Sequence, residues 1–313
     1  MITKITDFKN SLNSDEIIIY INTTGINQNK NHIYMVNILD GRDNKLKQYL
    51  SINNETESEL IKFIFENTID KKIISFNGKN YDLNFLNKKA FNLNLNKRLE
   101  NYFDIFLFLK NYIYLKEKPK NIDGLYNTLN PDKETKKVDT KKLKEKYKKL
   151  DKLKVNSLDY KNILEELFSF GKDGIIKRYF LLNYLIDNQK TNSKTIYLFD
   201  ERFSYYIYNY NFFKDFLKVS LKSLDNMPLP NIYIINKYHH IYTKDNELII
   251  KFNILRGKLS LKDYGICIYN NLKIDNLIAP IKNLKDNLIL ISINDKFIIE
   301  NLEKTVYSAL INI

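Results

Sequence analysis

The sequence predicts an α/β domain with a mixed sheet flanked by helices, followed by a smaller α+β domain built on an antiparallel sheet. Three observations predict it. Ile17-Ile18-Ile19-Tyr20-Ile21 is a mostly β-branched run that ends in Asn22-Thr23-Thr24-Gly25, which reads as a buried central strand stopping at a turn. Behind it, strand and helix periodicities alternate, and a strand reached through a crossover helix lies parallel to a neighbour in the same sheet. Past residue 190 the texture changes to short alternating runs. At 313 residues, with roughly 150 per domain as a prior, two domains are expected, at 1–190 and 191–313.

Taken in order, residues 1–14 read as a loosely held polar lead-in. The strand at Ile17–Ile21, His32–Leu39 and Lys45–Leu50 form an antiparallel meander, the last two joined by the tight Asp40–Asn44 connection. Leu60, Ile61, Ile64 and Phe65 mark one face of a helix starting near a Ser58 cap. Lys72–Phe76 is the next strand, and Asn77-Gly78-Lys79-Asn80-Tyr81-Asp82 a turn leading into a helix, with Asp82 at the helix start. Tyr102–Ile105 is a last short strand before a helix reaching Tyr112. From Lys116 to Lys154 the chain turns basic, and Lys141–Leu153 fits a solvated helix anchored by Leu143, Leu150 and Leu153. Leu158–Phe170 and Gly174–Asp187 read as two helices, the second buried on most of its circumference, with a polar linker at 188–194. Tyr205–Val219 reads as a helix packed through its aromatic residues, and Met227-Pro228-Leu229-Pro230 as a break. Ile232–Ile235, His239–Thr243, Leu248–Leu255, Gly265–Tyr269 and Leu288–Ile293 then read as strands, with a final helix from Ile298 to Leu310.

The net charge of +13 favours an anionic partner, nucleic acid first, because clustered Lys and Arg release counterions from phosphates. Eleven lysines against four acids between Lys133 and Lys154 put +7 into one segment. The plain alternative for such a run is a solvated face. The single Cys267 excludes an internal disulfide framework and a cysteine zinc site. No apolar run is long enough to span a bilayer and the N-terminus lacks a signal-peptide pattern, so a cytoplasmic protein is expected. His32, His239 and His240 have no metal-ligand spacing, and no Ser/His/Asp pattern or phosphate-cradling glycine loop is evident.

The motifs in their order resemble the ribonuclease H-like fold, and within it the DnaQ-like (DEDD) exonucleases of the YprB type. Tyr20-Ile21-Asn22-Thr23-Thr24-Gly25 matches that group's D-I-E-T-T-G, and Asn77-Gly78-Lys79-Asn80-Tyr81-Asp82 its N-G-x-x-F-D. Phe103-Asp104-Ile105 matches a following aromatic-D-L, and the resemblance covers about residues 15–190. It implies two divalent metals, magnesium or manganese, held by four carboxylates and cleaving phosphodiesters from the 3′ end. Here Tyr20 and Asn22 stand where two of those acids belong, and only Asp82 remains. The family's last motif, Y-N-x-x-D, fits in two registers. One takes Tyr179 with Asn183 at the acid's place; the other takes Asn183 as the motif asparagine, with Ile186 at the acid's place and Asp187 one residue late. The first is preferred, because a tyrosine four residues before the acid shares its helix face. Hard dications want anionic oxygens, which a phenol and two amides do not supply.

The resemblance therefore implies a pseudo-exonuclease: Tyr20, Asn22, Asp82 and Asn183 as vestigial positions, no bound metal (on Asp82 if anywhere), and no cofactor. Thr23, Thr24, Asn77 and Lys79 at the old site, with Lys141, Lys142, Lys144 and Lys148, would contact single-stranded DNA or RNA. The alternatives are a working magnesium- or manganese-dependent 3′–5′ exonuclease that recruits Asp104 or Asp187, and a protein–protein module acting through the C-terminal domain. Aspartate at a helix start is also an ordinary cap, which is the structural alternative for Asp82.

Overall fold

A computed structural model describes residues 1–115, 120–132, 139–155, 157–198, 201–224, 229–281 and 284–313. The chain divides into two compact units, Met1–Lys110 with Glu117–Tyr184, and Asn111–Lys116 with Leu185–Ile313.

The first unit is built on a sheet of strands β1 (Ile2–Asp7), β2 (Glu16–Thr23), β3 (Ile33–Asp40), β4 (Lys45–Leu50), β5 (Lys72–Ser75) and β6 (Tyr102–Asp104), in the order β1-β4-β3-β2-β5-β6. The meander β2-β3-β4 is antiparallel, and β5 and β6 join it in parallel. The strand β2 is interior because its apolar side chains need cover on both faces. On one face Ile17, Ile19 and Ile21 pack with helices α1 (Asn54–Thr68) and α2 (Asp82–Asn92) through Leu60, Ile64, Phe85 and Leu86. Each such side chain contributes roughly 1.5–3 kcal/mol on burial. The short helices α3 (Ile105–Asn111) and α4 (Ile122–Leu129) follow. A second cluster joins Tyr34, Met35 and Leu50 of the sheet to Leu143 and Tyr147 of α5 (Thr140–Tyr147), to Leu150 in a single 3₁₀ turn (Leu150–Lys152), and to Leu167 and Phe168 of α6 (Leu158–Thr191).

The second unit is an antiparallel sheet. Strands β7 (Lys194–Leu198), β8 (Glu201–Phe212), β9 (Phe216–Ser223), β10 (Tyr233–Ile235), β11 (His239–Lys244), β12 (Glu247–Lys258), β13 (Tyr264–Tyr269), β14 (Leu288–Ile293) and β15 (Lys296–Phe297) are followed by α7 (Ile299–Ile311). The main path runs β15-β14-β13-β12-β9-β8-β7, with β11 also pairing β12 and β10 pairing β11. Leu302, Val306 and Leu310 of α7 close the core over Leu217, Val219, Ile250 and Ile289. Among the described residues, no helix is long and apolar enough to cross a membrane.

Several expectations are corrected. The lead-in is a strand, β1, paired with β4 along its whole length, and its Ile-Thr-Lys-Ile-Thr-Asp alternation gives it one half-buried face. The first helix is capped by a reciprocal Asn53–Thr56 box, while Ser58 bonds inside the helix to the Asn54 carbonyl. The two helices expected at 158–170 and 174–187, and most of the linker after them, are the single helix α6, uninterrupted through Gly171 and Gly174. Tyr205–Val219 is no helix but the β8–β9 hairpin, in which aromatic residues fill a pleated face. Residues 116–119 and 133–138 of the basic stretch, and Met227 and Pro228 of the expected break, lie outside the described residues.

Candidate functional site

Residues at the end of β2 meet the turn after β5 and the middle of α6. Asn77 adopts a left-handed φ of 60°, which asparagine tolerates better than most residues, and a Cβ on Gly78 would lie 1.9 Å from Ser75 Oγ. The Asn-Gly pair is therefore what lets the chain turn from β5 into α2. Asp104 holds that turn: Oδ1 accepts from the amides of Asn77 (2.9 Å), Phe106 (3.1 Å) and Leu107 (3.2 Å), and Oδ2 from that of Lys79 (3.1 Å). Its carboxylate is thus committed to four backbone donors. The Lys79 side chain is in solvent.

The two motif stretches are joined directly. The phenol of Tyr81 shares a 2.5 Å hydrogen bond with Thr23 Oγ1, which also donates to the Gly25 carbonyl. Thr24 Oγ1 accepts from the His32 amide and closes the β2–β3 connection.

Asp82 is the first residue of α2 but does not cap it. Its Oδ1 accepts from the Ile21 amide at 3.1 Å, and its Oδ2 lies 3.8 Å from Arg178 Nη2. Burial pushes the Asp82 carboxyl up to about 6, against the opposing pull of Arg178. The guanidinium of Arg178 sits 3.9 Å over the Tyr20 ring and donates to the Gly174 carbonyl. Burial raises the Tyr20 phenol well above its ordinary value, so it is neutral at physiological pH.

Asn22 places its amide in a ladder of neutral side chains. Its Nδ2 donates to Tyr20 Oη (2.8 Å), Asn37 Nδ2 donates to Asn22 Oδ1 (3.0 Å), and Gln48 Nε2 donates both to Asn37 Oδ1 and to the Phe168 carbonyl (2.8 Å each). The ladder runs across β2, β3 and β4 and ends on α6. Amides can donate and accept in series, so the buried groups are satisfied without charge.

The structure brings together Tyr20, Asn22, Asp82, Thr23, Asn77 and Asp104, and adds Arg178, Asn37 and Gln48, which the sequence reading missed. Asn183 is turned elsewhere: with Tyr179 it bonds Ser11, whose amide and hydroxyl meet the Tyr179 phenol at 2.9 and 3.1 Å. Arg178 precedes Tyr179 by about 100° of helix rotation, and it is the Arg178 face that meets Tyr20. Asp187 belongs to the second unit and is exposed. Lys141, Lys142 and Lys148 are exposed and Lys144 half-exposed on α5, whose Tyr147 stacks on Tyr34 at 4.4 Å.

These residues do not fit a pair of divalent cations. Asp104 is spent on amides, Asp82 faces a buried guanidinium, and the other positions are neutral. No cluster of three or more His, Cys, Asp or Glu able to hold a metal occurs among the described residues. A Ser51–His32–Glu57 chain does form, with His32 Nε2 3.1 Å from Ser51 Oγ and Nδ1 2.8 Å from Glu57. Ser51 is fully buried and Glu57 also binds the Ile33 amide and Lys89, so the chain clamps α1 to β3 and offers no accessible nucleophile.

No curated protein matches the chain. The family model described as the RNase_H superfamily (RNase_H_2) matches residues 17–186, more than half of the chain, and covers five of the six strands of the first sheet, the Asn-Gly turn, Asp82 and Arg178. The chain belongs to the RNase H superfamily.

Proposed function

We propose that the first unit is a YprB-type, DEDD-lineage domain with degraded acidic motifs, which binds single-stranded nucleic acid and does not cut it. The observation that carries this reading is Arg178. A guanidinium stacked on Tyr20 and facing Asp82 supplies positive charge where the family's carboxylates would gather metal ions. Asp82 Oδ2 accepts no hydrogen bond and has Arg178 as the cation facing it, while the amide ladder from Asn22 to Gln48 is neutral. Neither magnesium nor manganese is required for such binding. The buried thiol of Cys267 suits the reducing cytoplasm. A protein partner on the second unit is compatible with this role.

Binding is assigned to the basic face of α5. Its lysines project from a helix held down by Leu143 and Tyr147, so they approach phosphates without disturbing the core. Replacing Lys141, Lys142, Lys144 and Lys148 by Glu is expected to weaken binding and flatten its salt dependence, with urea unfolding unchanged to within about 0.5 kcal/mol. Fluorescence anisotropy with a labelled oligonucleotide across salt concentrations measures this. Equal binding by wild type and variant would remove α5 from the interface.

A further inference from the structure

The solvent-facing side of α2 carries a second feature. Phe91 is 72% exposed, a large apolar side chain on a polar surface. It lies in a depression of about 490 Å³ lined also by Asn84, Asn87, Lys88, Lys97 and Arg98. The Lys88 ammonium sits 5.2 Å from the Phe91 ring. The loop supplying Lys97 and Arg98 is fixed, not free. Asn87 Oδ1 accepts from the Leu99 amide at 2.9 Å and its Nδ2 donates to the Leu99 carbonyl, while Leu99 is buried in the core. At the helix end, the Leu95 amide bonds the Ala90 carbonyl, with Asn94 in the left-handed conformation at φ 57°. Glu100, 3.8 Å from Arg98 and equally exposed, partly offsets the three cations.

A single exposed phenylalanine needs no explanation. A phenylalanine in a rigid hollow of nucleotide size, ringed by three cations, has the chemistry that single-stranded nucleic acid requires: a face on which any base stacks, and phosphate partners at its edges. We infer that this depression is a nucleotide subsite, with one base stacked on Phe91 and the flanking phosphates on Lys88, Lys97 and Arg98. The inference rests on the nucleic-acid reading of the first unit and extends it to a surface separate from α5. Helix α2, which starts at Asp82, carries Asn84, Asn87, Lys88 and Phe91 along one side.

The test is anisotropy with a short fluorescein-labelled oligothymidylate, comparing wild type, Phe91→Ala, Phe91→Trp, and Lys97→Glu with Arg98→Glu. Phe91→Ala should weaken binding by about 5- to 150-fold, the range of a lost base stack, with an unchanged salt slope. Phe91→Trp should retain wild-type affinity. The double Glu variant should weaken binding and flatten the slope. Phe91 lies outside the core, and a circular-dichroism melt checks that each variant folds. Wild-type affinity in Phe91→Ala would overturn the subsite, while weakening by the α5 substitutions in the same series would leave the broader reading standing. A wild-type protein that binds no oligonucleotide would overturn both.

Discussion

Arg178 and Asp82 form a buried pair whose members respond differently to pH. A free aspartate titrates near 3.9, whereas burial holds the Asp82 proton up to about 6. Between those values the folded chain keeps a proton that the unfolded chain has lost. The stability Asp82 contributes is therefore present below about pH 4 and is lost as pH rises through 6. Above that, Arg178 is the only cation close to the ionised carboxylate among the described residues. Arg178→Met is expected to cost about 3 kcal/mol at pH 8, because it leaves a buried charge unpaired, and clearly less at pH 5, where Asp82 is protonated. Urea unfolding at the two pH values measures the difference; an equal loss at both would show that Arg178 does not compensate an ionised Asp82. At this scale Asp82 was legible, since the Asn-Gly turn and the aromatic-Asp pair fix it to a helix start beside a strand end. Arg178 was not. The resemblance's Y-N-x-x-D motif points to Tyr179 and Asn183, and nothing in the sequence says that the helix presents the neighbouring face.

Helix α6 reaches the sheet through its glycines. A Cβ on Gly174 would lie 2.3 Å from the Tyr20 ring, and one on Gly171 would lie 2.1 Å from Asn37 Oδ1. Replacing a helix-interior glycine by alanine normally stabilises by about 1 kcal/mol. Here Tyr20 is pinned between Arg178 and its Asn22 hydrogen bond, so the ring cannot give way. Gly174→Ala is expected to destabilise by about 2 kcal/mol in urea unfolding, the usual range for overpacking. Stabilisation would mean that α6 stands off the sheet. The same glycines explain why α6 was read as two helices: a Gly-x-x-Gly stretch signals a break unless a close approach requires it. The β8–β9 hairpin was misread for a related reason. Phe213-Lys214-Asp215 joins its strands without glycine or proline, and a bulge between Ile207 and Asn209 breaks the alternation. Strand β1 escapes the pattern because its half-buried face carries Ile2, Lys4 and Thr6, with Ile2 its single apolar residue, while Ile5 points to the exposed side.

Over the whole molecule, the sheet with interior β2 and helices on both faces follows from patterns the sequence displays openly: apolar runs, a turn, and a crossover. The later antiparallel strands from His239 to Ile293 were equally plain. What stayed hidden is non-local: the amide ladder across three strands, and the guanidinium between Tyr20 and Asp82. Each depends on side chains far apart in sequence meeting in the fold. On the function proposed above, this RNase H superfamily domain holds single-stranded nucleic acid without metal-dependent cleavage. This is tested most directly by titrating end-labelled DNA and RNA strands with the wild-type protein at several salt concentrations, with magnesium or manganese present, and then sizing the strands on a denaturing gel. The expected result is binding that weakens steeply with salt and strands that stay full length. Strands shortened from the 3′ end in the presence of metal, or no salt-dependent binding at all, would contradict it.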